Sequence, residues 1–382
     1  MSRKRSIFEE VETTDRAQVG APQPGGIARD GGARAGVRVW LALLFVMVVA
    51  MIMLGGLTRL TDSGLSITQW KPVTGALPPM NDADWQAAFE RYRAIPEYQL
   101  QNKGMSLAEF KKIYWWEWSH RQLGRAIGLV WAIGFFGFLA RRRIPPGWAG
   151  RLLGIGVLGG VQGAVGWWMV SSGLAGRMLD VASYRLATHL GLAFTILGLI
   201  AWYVFALGRR DADLLQARRL RETGLMRWSS LMMAMVFIQV LLGALVAGID
   251  AGRGYTDWPL MAGSFFPPDA LDLTPLWRNF FEDDGLVQFV HRIWAYLVFA
   301  AGIFLWWRAR ASANGATRRA FGWMAAMLVA QLGLGIATVM NSAPVGLSLI
   351  HQLGAVILWV LAIRARFMAA YPVAQSIRGG RP

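Results

Sequence analysis

The chain has 382 residues, of which 55% are hydrophobic, only 16% are charged and 19 are Trp. That balance excludes an ordinary water-soluble domain and fits a multi-span membrane protein. The formal net charge of +16 invites a nucleic-acid reading, but Arg and Lys gather in the tails and in alternate loops, so the basicity is a topology signal and no nucleic-acid partner is expected.

Residues 1–37 are polar and rich in Gly, Ala and Arg, with no apolar h-region, and read as a disordered cytoplasmic tail. A helix needs about 20 apolar residues to cross the hydrocarbon core. Eight such segments follow, near 38–57, 119–140, 150–171, 185–206, 228–248, 287–307, 320–340 and 346–364. The expected fold class is therefore an all-α polytopic membrane protein. The basic loops "ARRRIPPGWAGR" and "GRRDADLLQARRLRETGLMR" fall on the cytoplasmic side, together with both termini.

The first outer loop, 58–118, is long. Asp82 is expected to cap a helix carrying Trp85, Phe89 and Tyr92 on one face, and Ser106 and Glu109 have capping-box spacing. Such pieces either lie on the membrane surface or cover the outer mouth, or they are plain packing elements. Cysteine is absent, which excludes disulfides, iron–sulfur clusters and thiolate chemistry.

The chain repeats itself. "GGLTRLTDSGLSITQWKPVTGALPP" follows the first span and "GALVAGIDAGRGYTDWPLMAGSFFPP" the fifth. At one offset Gly55, Leu57, Asp62, Gly64, Thr68 and Trp70 match Gly243, Leu245, Asp250, Gly252, Thr256 and Trp258. "EWSHR" on the second span answers "QFVHR" on the sixth, "VQGAVGWWMV" answers "AQLGLGIATV", and "LATHLG" answers "SLIHQLG". Eight spans are thus expected as two tandem pseudo-symmetric four-helix bundles, related by an axis along the membrane normal. The boundaries are an N-terminal half at 38–207, a cytoplasmic linker at 208–227, a C-terminal half at 228–366 and a cytoplasmic tail at 367–382.

All 4 histidines fit this scheme. His120, His189, His291 and His351 sit near the outer ends of spans two, four, six and eight, one pair in each half. A lone membrane histidine is a packing residue or proton relay. Two facing histidines without a further ligand suit the axial positions of a haem iron, whereas zinc wants a third or fourth ligand. Gln162-x-x-x-Gly166, Gln239-x-x-x-Gly243 and Gln331-x-x-x-Gly335 supply small residues for a flat porphyrin, or else ordinary helix packing. Arg121 and Arg292 directly follow histidines. They suit haem propionates or snorkelling to lipid headgroups, with Arg125 a weaker third candidate. Trp115, Trp116 and Trp118 suit an aromatic belt at the outer interface.

The halves differ at one ionisable position. Glu117 lies three residues before His120, on the same helix face, and Gln288 occupies the matching place before His291. Glutamine hydrogen-bonds but cannot exchange a proton. Glu117 is therefore a candidate catalytic carboxylate, or else the partner of Arg121 at i,i+4. On the catalytic reading, the first half reacts and the second holds a permanent redox cofactor.

Taken together, "GGLTRLTDSGLS", "EWSHR" and the doubled histidine pairs resemble the heme A synthase family over residues 38 to 366. The resemblance implies oxidation of the C8 methyl of heme O to a formyl group, with oxygen from water, for cytochrome oxidase. It implies heme O or heme A between His120 and His189, and heme b between His291 and His351. Glu117 would stabilise a carbocation-like intermediate or handle protons. Some bacterial members carry a cysteine pair in the first outer loop; this chain resembles the cysteine-free proteobacterial and mitochondrial branch. The tail makes a poor transit peptide, so a bacterial inner membrane is expected, with the haem sites toward the periplasm. Partners implied are heme O, an electron acceptor the residues do not identify, and the lipid bilayer. Pathway logic adds heme O synthase and cytochrome oxidase assembly factors without a motif, and a homo-oligomer is compatible with the sequence. The competing readings are a diheme b-type electron-transfer protein and a transporter.

Overall fold

The computed structural model describes residues 25–176 and 179–374. Residues 1–24 of the expected N-terminal tail and 375–382 of the C-terminal tail lie outside the described residues. Helices in chain order are α1 (Gly25–Leu60), α2 (Asp82–Arg93), α3 (Pro96–Leu100), α4 (Leu107–Ala140), α5 (Ala149–Val170), α6 (Ser183–Leu207), α7 (Asp211–Arg219), α8 (Thr223–Gly248), α9 (Asn279–Glu282), α10 (Asp284–Ala309), α11 (Gly315–Met340) and α12 (Val345–Ala370). Among the described residues, 8 helices are long and apolar enough to cross a membrane: α1, α4, α5, α6, α8, α10, α11 and α12. The chain is an all-helical, multi-pass membrane protein.

Two boundaries differ from expectation. The first helix begins at Gly25, so residues 25–37 are helical rather than part of a disordered tail. The second span begins at Leu107 rather than near 119. Ser106 and Glu109 form a reciprocal capping box there, and no Gly or Pro interrupts the chain before the span. A 34-residue helix results, about 51 Å long. It exceeds the ~30 Å hydrocarbon core, so its first turns stand clear of the membrane. Trp115 and Trp116 are 42% and 40% exposed on it, in keeping with an interfacial belt. The expected linker at 208–227 holds a helix of its own, α7.

The packing order recurs along the chain. In the first half α1 packs on α4 and α6, and α5 bridges α4 and α6. In the second half α8 packs on α10 and α12, and α11 bridges α10 and α12. The halves meet chiefly where α6 touches α8 and α12, and where α1 touches α12. At this joint Gln352 Nε2 donates to the Ile52 carbonyl at 2.7 Å, and Trp359 Nε1 donates to the Phe194 carbonyl at 2.9 Å. A buried amide or indole with a partner avoids the cost of an orphaned donor.

The long loop folds into a cover. Asn81 caps α2, its side chain accepting from the Asp84 N–H at 2.9 Å. Asp82 is the first helical residue rather than the cap; there it complements the positive end of the helix. Trp85, Phe89 and Tyr92 share a buried face, as expected, and pack with Leu65, Phe110, Tyr114 and Val170. The cover therefore closes on α4 and on the end of α5.

Inside it lies Glu97, 3% exposed. The Tyr92 hydroxyl donates to its Oε1 at 2.9 Å and Asn102 Nδ2 at 3.2 Å. Burial pushes this carboxyl from 4.5 up to about 8. The folded cover thus binds the proton more tightly than the unfolded chain. Its contribution to stability is complete below the ordinary value and is lost as pH rises through about 8. Protection factors of residues 82–100, which divide out base-catalysed intrinsic exchange, are expected to fall as pH rises from the ordinary carboxyl range to about 8. Glu97→Gln, neutral at every pH, is expected to flatten that dependence; an identical profile in both proteins would sink the assignment.

Candidate functional site

The candidate site is built from the ends of the spans that carry the histidines. Four helix hairpins use one device. A methyl group on Gly55 of α1 would come within 3.1 Å of His120 Nε2, one on Gly166 of α5 within 2.9 Å of His189 Cε1, one on Gly243 of α8 within 3.1 Å of His291 Cε1, and one on Gly335 of α11 within 3.1 Å of His351 Cε1. Each imidazole thus lies close against the backbone of the preceding span; a Cβ at Gly166 would force the ring to shift, and one at Gly55, Gly243 or Gly335 would crowd it by a few tenths of an ångström. His120 and His189 are near enough to interact electrostatically, and so are His291 and His351.

Three of the four histidines have a second support. Gln162 Nε2 donates to the His189 carbonyl at 3.0 Å, Gln239 Nε2 to the His291 carbonyl at 3.2 Å and Gln331 Nε2 to the His351 carbonyl at 2.7 Å. Each glutamine is one turn ahead of the glycine that meets the same ring. The Gln-x-x-x-Gly pattern is therefore a seat for a histidine as well as a small-residue packing surface.

These residues fit a haem. Imidazole is a good iron ligand. His189 Nδ1 and His351 Nδ1 are buried without a protein partner, a state that costs free energy unless something else engages the ring. Among the described residues no group of three or more His, Cys, Asp or Glu converges on one point.

Glu117 is 3% exposed and fully engaged. Ser66 Oγ and the Ile67 backbone N–H donate to its Oε2 at 2.7 and 2.6 Å. Arg121 donates to its Oε1 through Nε at 3.0 Å and Nη2 at 2.6 Å. A buried carboxylate with four donors and a paired guanidinium has its charge balanced in place. The i,i+4 pairing with Arg121 that the sequence offered is present in the structure.

In the second half Gln288 is 2% exposed. Its Nε2 donates to the Ala251 carbonyl at 2.6 Å, and its Oε1 has no protein partner.

The arginines after the histidines hold loops. Arg121 donates to the carbonyls of Ile67 and Gln69, and Arg292 to those of Tyr255, Asp257 and Leu260. Arg125 donates to the carbonyls of Lys71 and Pro72. Arg292 Nε, which lacks a carboxylate equivalent to Glu117, is buried without a partner. That orphaned donor leaves an anion-binding role open in the second half, whereas Arg121 is already paired with Glu117.

Sequence reasoning passed over Arg59. It is 10% exposed at the side chain and bridges Asp62 at 2.8 Å, Asp250 at 2.9 Å and Asp180 at 3.4 Å. Asp62 and Asp250 are the matched aspartates of the repeat, both left-handed, with φ of 48° and 54°. A single cation therefore ties the two equivalent turns together. One turn leads to Ser66 and Ile67 on Glu117, the other to Ala251 on Gln288. The signal was present: Ala247 stands where a second arginine would match, so Arg59, like Glu117, is a charge without a counterpart. Removing it leaves clustered carboxylates that are partly solvated, so Arg59→Gln is expected to cost about 1–3 kcal/mol. Thermal melts of the purified protein check this; an unchanged midpoint would contradict it.

Comparison with known proteins follows the same outline. The COX15-CtaA family model, described as cytochrome oxidase assembly protein, matches residues 38–363. The heme A synthase of Dinoroseobacter shibae is 64% identical over 382 residues, covering 99% of each chain. That of Ruegeria sp. (strain TM1040) is 62% identical over 378 residues, covering 98% of this chain and 99% of its own. That of Paracoccus denitrificans is 58% identical over 380 residues, covering 98% and 99%.

Proposed function

The chain belongs to the COX15-CtaA family of cytochrome oxidase assembly proteins, and from that premise we propose that it makes heme A by oxidising the C8 methyl of heme O to a formyl group. The observation that carries the reading is the contrast of Glu117 with Gln288 inside two otherwise matched histidine pairs. Water supplies the oxygen: the methyl gains one oxygen atom, four protons leave, and four electrons pass to an external oxidant. Hydroxylation occurs twice, and the resulting gem-diol loses water. The substrate sits between His120 and His189, in the first of two tandem pseudo-symmetric four-helix bundles.

His291 and His351 hold heme b, which supplies one-electron redox chemistry when bound. Glu117 keeps a negative charge where positive charge develops at the methyl carbon, or takes the proton of the attacking water. Ser66, Ile67 and Arg121 prevent the carboxylate from turning away, so its orientation is set before substrate arrives. Arg292 Nε is the donor most open to a haem propionate; Arg121 reaches a propionate only through a guanidinium it shares with Glu117. The Lys/Arg-rich loops support a bacterial inner-membrane orientation with both termini cytoplasmic and the histidines toward the periplasm.

The test is expression in cells that make heme O but no heme A. Heme A is expected among the extracted haems only when the chain is present. Heme b alone, under all growth conditions, would leave a diheme electron carrier as the better reading; haem-free protein would favour a transporter.

A further inference from the structure

We propose that Met51 makes His120 the loosely seated ligand, so that the first half releases its haem while the second half keeps its own. This rests on the reading that the first half takes heme O.

The repeat places Met51 where the second half has Gln239: Gly55 matches Gly243, and each of the two residues is one turn earlier. The other glutamine seats, Gln162 and Gln331, are related to each other in the same way through Gly166 and Gly335. Three hairpins thus use an amide donor and a glycine, and one uses a thioether and a glycine. Met51 also reaches α4 close to His120. A methyl group on Gly124, one turn beyond His120, would lie 3.5 Å from Met51 Cε.

A thioether has no proton to donate and is at most a weak acceptor. Its unbranched side chain also changes rotamer readily. Among the described residues no side chain donates to the His120 carbonyl, whereas the other three histidine carbonyls each receive a glutamine N–H. The His120 carbonyl therefore lacks the side-chain donor the other three have, and the tethers of α4 nearby act through Glu117 and Arg121 instead.

The asymmetry matches what two unlike occupants need. A substrate must enter and its product must leave, while a resident cofactor must stay. Met51 is a positioning residue in this scheme: it packs against α4 one turn beyond the ligand and has no part in the chemistry.

The experiment uses full-length protein purified from heme O-producing cells, with apomyoglobin added as haem acceptor. Loss of each haem is followed by chromatography of the extract. Met51→Gln is expected to slow loss of heme O and heme A roughly three- to tenfold, the range of one net hydrogen bond, with heme b loss unchanged. Met51→Leu, apolar and of similar volume, should behave as wild type. Gln239→Met should speed heme b loss by a similar factor.

A wild-type release rate in Met51→Gln, or equal slowing in Met51→Leu, overturns the proposal. If Met51→Gln does not fold, Gln239→Met decides alone, and unaltered heme b retention overturns it. Wild-type protein that never contains heme O or heme A fails at the underlying reading instead, before any variant is compared.

Discussion

Glu117→Gln is expected to abolish most heme A formation while both haem sites stay loaded. The substitution preserves shape and one acceptor oxygen, so packing around α4 is little disturbed. It removes the charge that Arg121 balances and the proton-exchanging group that stands where the second half has Gln288. Its new amide N–H groups face donors on one side or the other, since Ser66, Ile67 and Arg121 all donate to the native carboxylate. Acid–base contributions of a positioned carboxylate are typically 10²–10⁴-fold, and a loss on the order of 10²-fold or more is expected. The ratio of heme A to heme O in extracts measures it. Unchanged heme A output with normal haem loading would remove Glu117 from the chemistry.

Substitution of the histidines is expected to have the second large effect, and a directional one. His291→Ala and His351→Ala should lose heme b and retain the first-half haem. His120→Ala and His189→Ala should do the reverse. Each variant removes one of two axial ligands and opens a cavity beside a glycine, so haem occupancy in the affected half should fall to a small fraction of wild type. Heme A formation should fail in all of them, because substrate site and redox cofactor are both required. Haem extraction, with protein integrity followed by size-exclusion chromatography, separates the two patterns. Loss of both haems from any single, well-folded variant would contradict independent half-sites.

Much of this was legible in the sequence because membrane proteins expose their logic in composition. Long apolar runs must be helices, since every backbone polar group needs an internal partner in lipid. The duplication then made the histidine pairs and the Glu117–Gln288 contrast visible without any structure. Helix starts were less legible. The residues from Leu107 to Trp118 are too polar to read as a span, yet they continue one as a single helix, because propensity and capping set helix ends while hydropathy reports only the membrane.

Long-range partners were least legible. The pairing of Arg59 with Asp250 joins residues far apart in the chain. The engagement of Arg121 and Arg292 with loop carbonyls follows from how those loops fold back. Single-residue reasoning favoured propionates or headgroups for these arginines because backbone carbonyls leave no mark in a sequence. The glutamines were noticed for the small residues beside them; their work as donors to histidine carbonyls required coordinates.

The central claim is that two matched histidine pairs hold two different haems, and that the half with the carboxylate acts on its own. Haem identification on the purified wild-type protein tests it most directly. Chromatography of the extract should give heme b together with heme O or heme A, in comparable amounts. Heme b alone, in either single or double occupancy, would contradict it.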